Sequence, residues 1–285
     1  MLPRRRLTLC SGSWTRAQTV CPSILLLAGC ALLLAILRTQ SGFPHIPFPF
    51  AGMLGCGFFI AREVYCVVTG KTSSARESAT VTAVQFTRRA DSEGFPADEA
   101  WESAPAIHFN HDWQGKNADP ELETEVRLLW TQDTLYLRFL ARYRSITIFP
   151  DAEPSGRRDN LWDRDVVEVF LQPAGSEARR YKEFEVSPNG FWIDLDIAPG
   201  EKHDLQSGLR RRVNLDEKRK TWKAELALPM KSLAEHFDPA VAWRVNFYRV
   251  EGPREPRFYS AWRPTRTPVP NFHVPESFGK LLFET

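Results

Sequence analysis

The sequence predicts an all-β fold for residues 77–285: an antiparallel β-sandwich of about ten strands with one short helix, preceded by an N-terminal hydrophobic segment. Three observations carry this reading. From Val81 onward, short runs alternate apolar and polar residues, the period-2 pattern of strands with one face turned inward. Pro, Gly, Asn and Asp punctuate these runs at the intervals of chain reversals. Strand–helix alternation is missing, and no GxGxxG or GxxxxGK[ST] string occurs, which argues against a doubly wound α/β fold with a phosphate-binding loop.

Taken in order, residues 124–130 place Val126, Leu128 and Trp130 on one face, and residues 135–143 do the same with Leu135, Leu137, Phe139 and Ala141. Thr131-Gln132-Asp133 between them has the length of a hairpin loop. Further strands are predicted over 166–172, 181–187, 191–197, 209–214, 221–228, 243–250, 257–262 and 278–283. The helix is predicted over 230–237, following Pro229, with Leu233 and His236 three residues apart.

The first 76 residues differ in kind. They carry eight of the 37 Lys/Arg and one of the 35 Asp/Glu, leaving 29 basic and 34 acidic residues for 77–285. A net-acidic domain argues against nucleic acid as a partner, since phosphate neutralisation needs a basic face. Arg4, Arg5, Arg6 and Arg16 precede an apolar run over 23–37 that Arg38 closes, the pattern of a secretory signal or signal-anchor. At about 15 residues this run is shorter than the roughly 20 a bilayer span needs. Leu27-Ala28-Gly29-Cys30 resembles a lipoprotein cleavage box, although Ala31-Leu32-Leu33-Leu34 stays apolar beyond it. A second apolar stretch over 46–60, interrupted by Pro47 and Pro49, reads as a weak span or interfacial segment. A single crossing with the Arg cluster inside places the domain outside the cytoplasm, membrane-anchored or secreted; an alternative start at Met53 or beyond would remove most of the leader. Residues 71–80 are small and polar, as a linker requires. All five cysteines precede residue 70, so the domain has no disulfide or thiolate metal site and must rest on its core.

Four stretches, in order, carry a family likeness: Phe95-Pro-Ala-Asp-Glu-Ala-Trp101; Glu125-Val-Arg-Leu-Leu-Trp130 followed by Leu135-Tyr-Leu137; Asn160-Leu-Trp-Asp-Arg-Asp-Val-Val-Glu-Val-Phe170; and Trp243-Arg-Val-Asn-Phe-Tyr-Arg249 leading to Glu276-Ser-Phe-Gly-Lys-Leu-Leu-Phe283. Over about residues 82–284 the chain resembles family 9 carbohydrate-binding modules and the DOMON-like sandwiches related to them. The resemblance implies a non-catalytic domain that holds the end of a saccharide chain between two aromatic rings, often with structural calcium. Residue by residue, the first clamp ring falls on Trp162 and the sugar-hydroxyl acceptor on Glu168. The second ring falls in Pro270-Asn271-Phe272-His273, where Phe272 stands in place of tryptophan and Asn271 adds a polar contact. A family arginine falls on Glu185, which exchanges a donor for an acceptor.

The residue types suit the chemistry. A pyranose presents an apolar C–H face to a ring and a rim of hydroxyls to Asp, Glu, Asn or Arg. Trp101, Trp130, Trp222 and Trp243 sit at apolar strand or pre-strand positions and read as core, whereas Trp162 lies in a polar loop; Trp192 and Trp262 are further candidates. Glu168, inside an apolar strand, is either satisfied by an arginine or presented to a ligand, and Arg249 is a candidate for that partner or for a second sugar contact. Glu183, Glu185, Asp194 and Asp196 form an acidic group able to bind calcium if they converge. Two other classes stay open. Glu168 with Asp163 or Asp165 is the pair to consider for glycoside hydrolysis, and Met230 is the methionine of the domain available to a haem. A free-standing module of this kind implies a carbohydrate ligand and a separate glycoside hydrolase as partners.

Overall fold

The computed structural model describes residues 79–285. The hydrophobic runs, Cys30 and most of the linker lie outside the described residues. Thirteen strands are formed: β1 (Thr80–Gln85), β2 (Ile107–Phe109), β3 (Thr124–Trp130), β4 (Thr134–Arg142), β5 (Val166–Gln172), β6 (Tyr181–Val186), β7 (Trp192–Ala198), β8 (Glu201–Asp204), β9 (Arg210–Asp216), β10 (Thr221–Pro229), β11 (Trp243–Glu251), β12 (Phe258–Ala261) and β13 (Gly279–Glu284). One helical turn, α1 (Met230–Leu233), follows β10. Among the described residues no helix is long and apolar enough to cross a membrane.

The strands hydrogen-bond in the order β8-β7-β6-β5-β11-β13-β1-β3-β4-β10-β9, with β12 added to β11 and β2 to β3. The path curls so that β5, β6, β11 and β13 face β3, β4 and β10 across the main core. Val126, Leu128, Leu137, Phe139, Trp222 and Leu226 meet Val169, Phe184, Trp243, Phe247 and Leu281 there. Phe139 and Phe247, one from each half, pack edge to face at 6.0 Å. The period-2 pattern read from the sequence therefore locates the inner face correctly, and Trp101, Trp130, Trp222 and Trp243 are all buried.

Every pairing is antiparallel except those of β1, which runs parallel to both β13 and β3. Gly279 is required where β13 begins: a Cβ there would lie 2.6 Å from the carbonyl oxygen of Ala79 and 2.7 Å from the Trp262 ring. Three strands escape the sequence reading. β1 starts at the end of the stretch read as linker, and no strand is predicted over its residues. β2 is only three residues long, and β8 (Glu-Lys-His-Asp) has no apolar residue to mark a face and is exposed throughout. The helix is shorter than predicted, because Phe237 leaves it to pack against Trp130, Trp243 and Phe283.

The larger departure concerns the outer face of the β5–β6–β11 half. The outer face of a sandwich sheet is ordinarily solvated, yet every residue of β5 is buried, in keeping with its near-continuous apolar run. A second apolar cluster covers that face, in which Val166, Phe170, Tyr181, Ile193, Leu195, Tyr248 and Val250 of the sheet pack under Leu161, Phe272 and Phe278 from the flanking loops. The concavity between sheet and loops holds the candidate site.

Candidate functional site

Register fixes the floor. β5 pairs β6 with Glu168 opposite Glu185 and Phe170 opposite Glu183, and β11 sets Tyr248 opposite Glu168. Directly opposed residues share a face, so Glu168, Glu183 and Glu185 all project to the loop-covered side, and each is at most 3% exposed. The walls come from three connections: the turn Leu161–Asp163, which carries Trp162; the β11–β12 hairpin, which carries Arg257 and Tyr259; and the 270–273 loop. Together they line a half-open cavity of about 310 Å³.

The turn is entered through Asn160 in the left-handed region (φ 55°), a conformation asparagine tolerates better than most side chains. Trp162 is half-buried, and the Arg257 guanidinium donates to its carbonyl oxygen at 2.8 Å. The Lys202 ammonium lies 3.9 Å from the Trp162 ring centroid, a cation–π contact. Arg257 also donates to Glu255 (3.0 Å) and to the Tyr259 hydroxyl (2.7 Å), and that hydroxyl donates to Glu255 (2.5 Å). The Tyr259 hydroxyl bond and Arg257 hold the Glu255 carboxyl down at about 2, so Arg257 is committed to Glu255 at any ordinary pH.

Phe272 lies flat on Tyr248, 4.3 Å between centroids and 14° between planes, and its carbonyl accepts from the Tyr248 hydroxyl at 3.1 Å. It is thus a packed wall rather than a free plate. Asn271 is exposed at the rim, where its side-chain oxygen accepts from the His273 amide at 3.0 Å. The His273 ring stacks on Phe170 and sits with Nδ1 2.6 Å from the Tyr181 hydroxyl.

The floor is electrostatically unusual. Glu168 Oε1, Glu183 Oε2 and both oxygens of Glu185 are buried without a hydrogen-bond partner. Burial first, then the charge of Glu183, pushes the Glu168 carboxyl well above the usual glutamate range. Burial, then Glu168 and Glu183, does the same to Glu185. A buried glutamate can be paired in this fold: Glu225, at 0% exposure in β10, accepts from Arg138 at 2.6 Å and Arg212 at 2.6 Å. The pocket glutamates have no such donors, and an acceptor surface lacking donors calls for a ligand that brings them.

A profile described as carbohydrate family 9 binding domain-like matches residues 93–283. The chain belongs to this family. It is 25% identical over 194 residues to a protein of Arthroderma benhamiae named "Extracellular protein", covering 61% of this chain and 85% of that one. It is 26% identical over 188 residues to the UPF0462 protein C4orf33 homolog of Danio rerio, covering 63% of this chain and 89% of the relative. Among solved structures, a candidate carbohydrate-binding protein from Bacteroides uniformis superposes with TM-score 0.57 at 20% identity over 72% of this chain and 99% of that one. A family 9 module from Caldicellulosiruptor kristjanssonii in complex with glucose gives 0.52 at 14% identity, over 72% and 96%. These structural likenesses concern the fold.

Within the family 9 fold, the predicted site residues divide into two groups. Trp162, Glu168, Asn271 and Phe272 line one cavity. Arg249 lies elsewhere, since its neighbour Tyr248 faces the loop-covered side and strand parity turns Arg249 to the other side of β11. There, 1% exposed, it donates to the Leu122 carbonyl at 3.2 Å and to Glu251. It neither lines the cavity nor pairs with Glu168. The acidic group considered for calcium splits for the same reason. Glu183 and Glu185 face the pocket, while Asp194 and Asp196 lie on the opposite face of β7, where Asp194 accepts from the Ser207 amide (2.7 Å) and Asp196 from Arg180 (2.6 Å). Among the described residues no group of three His, Cys, Asp or Glu is placed to hold a metal ion, so this donor set does not fit calcium.

Of the carboxylates considered for hydrolysis, Asp163 lines the cavity with Glu168. Asp165 instead caps the Thr147 and Gly252 amides at 2.8 and 2.9 Å. Met230 is buried in the main core. Sequence reasoning missed Arg257, Tyr259 and His273 as pocket residues and offered Glu183 only as a candidate member of a calcium-binding group. The parity of Glu183-x-Glu185 was the available signal, because two acids two apart in an apolar strand must share a face.

Proposed function

We propose that the pocket between β5, β6 and β11 and the 270–273 loop binds a saccharide without catalysing its conversion. The observation that carries this reading is the set of four buried, partnerless carboxylate oxygens beneath a half-exposed tryptophan. Sugar hydroxyls are the donors these oxygens lack, and a pyranose C–H face suits the Trp162 indole. Family membership and the glucose-bound module of the same fold support the same ligand class. A half-open concavity of about 310 Å³, at the low end of ligand-pocket sizes, favours a monosaccharide or a chain end over a long stretch of polymer. Trp162 supplies the stacking surface, Glu168, Glu183 and Glu185 accept hydroxyls, and Asn271 closes the rim. The basic leader and the relative named as an extracellular protein support placement outside the cytoplasm.

The test is isothermal titration of the full-length chain with a panel of mono- and oligosaccharides, repeated with Trp162→Ala. Saturable binding in the roughly micromolar-to-millimolar range, lost in a variant of unchanged circular dichroism, is expected. Absence of heat with every sugar would overturn the reading.

A further inference from the structure

The charge of the pocket narrows the ligand class. Four carboxylates line the cavity, Asp163, Glu168, Glu183 and Glu185, against one guanidinium, Arg257, which already serves Glu255 and Tyr259. Glu168 and Glu185 face each other across the β5–β6 pair, where like charges repel. The nearest ring nitrogen, His273 Nδ1, is 3.9 Å from Glu183 and is engaged by Tyr181. Lys202 lies over Trp162 and does not line the cavity.

A neutral sugar would satisfy the orphan oxygens as acceptors but leave the burial and mutual repulsion that push Glu168 and Glu185 toward their protonated forms. A ligand carrying an ammonium group would relieve both, with three N–H donors and a positive charge in a site of low dielectric. The aromatic walls already carry cations, the Lys202 ammonium 3.9 Å from the Trp162 ring centroid and the Arg257 guanidinium 5.1 Å from that of Tyr259, so the charge preference rests on the carboxylates. A divalent metal would answer the charge too, but the acids are not arranged to ligate one.

We infer that the pocket selects an amino sugar with a free amine over its neutral counterpart, the ammonium seated among Glu168, Glu183 and Glu185. This rests on the saccharide reading above and adds the identity of the charged substituent. Glu185 sets the preference: it is fully buried opposite Glu168 in the β5–β6 register, and both of its oxygens lack a partner.

The full-length protein is titrated with glucosamine, N-acetylglucosamine, glucose and ethanolamine at pH 7 and low salt. Glucosamine is expected to bind about tenfold or more tightly than glucose, the scale of one charge-assisted hydrogen bond, with N-acetylglucosamine losing that advantage. Glu185→Gln is expected to bring the glucosamine-to-glucose ratio toward one. Equal affinities in the wild-type protein would overturn the amine preference and leave the saccharide reading standing. A preference that persists unchanged in Glu185→Gln would overturn the assignment to these carboxylates. Ethanolamine binding as tightly as glucosamine would overturn both, since the ring would then contribute nothing. No binding of any sugar would remove the saccharide reading and the inference with it.

Discussion

Replacing Glu185 by glutamine should make the ligand-free protein more stable at neutral pH, and the sign follows from the pocket. Both oxygens of Glu185 are buried without a partner, and burial together with Glu168 and Glu183 raises its folded-state pKa above the ordinary 4.5. As pH rises past about 4.5 the unfolded chain releases this proton first, the native state holds more protons, and stability falls until the folded pKa is passed. Below 4.5 the carboxyl is protonated in both states and the substitution changes little. Above it, glutamine removes the cost of holding this buried carboxyl protonated, or ionised without a partner, about 1–3 kcal/mol. For a domain of 150–250 residues that corresponds to roughly 2–12 °C in Tm. Other groups titrate as well, Asp91, Asp98 and Asp119 being held low by arginine, lysine and backbone partners. The informative quantity is therefore the difference between variant and wild type, measured by thermal denaturation from pH 4 to 8. A difference near zero at pH 4 that grows toward pH 8 is expected. A variant less stable at pH 8, or equally shifted at every pH, would refute the argument that the floor holds destabilising charge.

Trp162→Ala should leave the fold intact while abolishing sugar binding, whereas Trp130→Ala, whose ring packs against Phe237 and Phe283, should cost about 3–5 kcal/mol in urea denaturation. Arg249→Ala strands Glu251 in a buried site and should cost about 3–5 kcal/mol, with binding per folded molecule unchanged when titrated at low temperature. Gly279→Ala forces a methyl group against the Ala79 carbonyl and the Trp262 ring and should lower stability by roughly 1–3 kcal/mol, read as a shifted urea midpoint at constant m-value.

The strands were legible wherever apolar residues recurred at every second position, as in Val126-x-Leu128-x-Trp130, because that period reports a face turned to the core. It could not report that the other face of β5 is buried too, since the covering residues, Leu161, Phe272 and Phe278, come from loops far away in the chain. The site was legible in part for a related reason. Trp162 stood out as a large ring in a polar loop, and Glu168 as a charge in an apolar strand. The second signal is ambiguous by nature: Glu225 shows it equally and is neutralised by Arg138 and Arg212. Only cross-strand register separates the two outcomes, by placing Glu185 rather than an arginine opposite Glu168. Arg249 was misplaced by a single residue of parity, enough to send a side chain to the wrong side of a sheet.

The parallel pairing of β1 with β13 bears on how the domain carries mechanical load. A force applied at Ala79 and at Glu284 pulls the first strand from its start and the last from its end, so the five register pairs from Thr80–Lys280 to Val84–Glu284 are strained together in shear rather than peeled open one after another. β1 is also bonded on its other side to β3, and the Trp130 indole donates to the Glu284 carbonyl at 3.0 Å. A tether joined ahead of β1 thus delivers tension to the middle of the strand order, away from the β8 and β9 edges where rupture would be easiest.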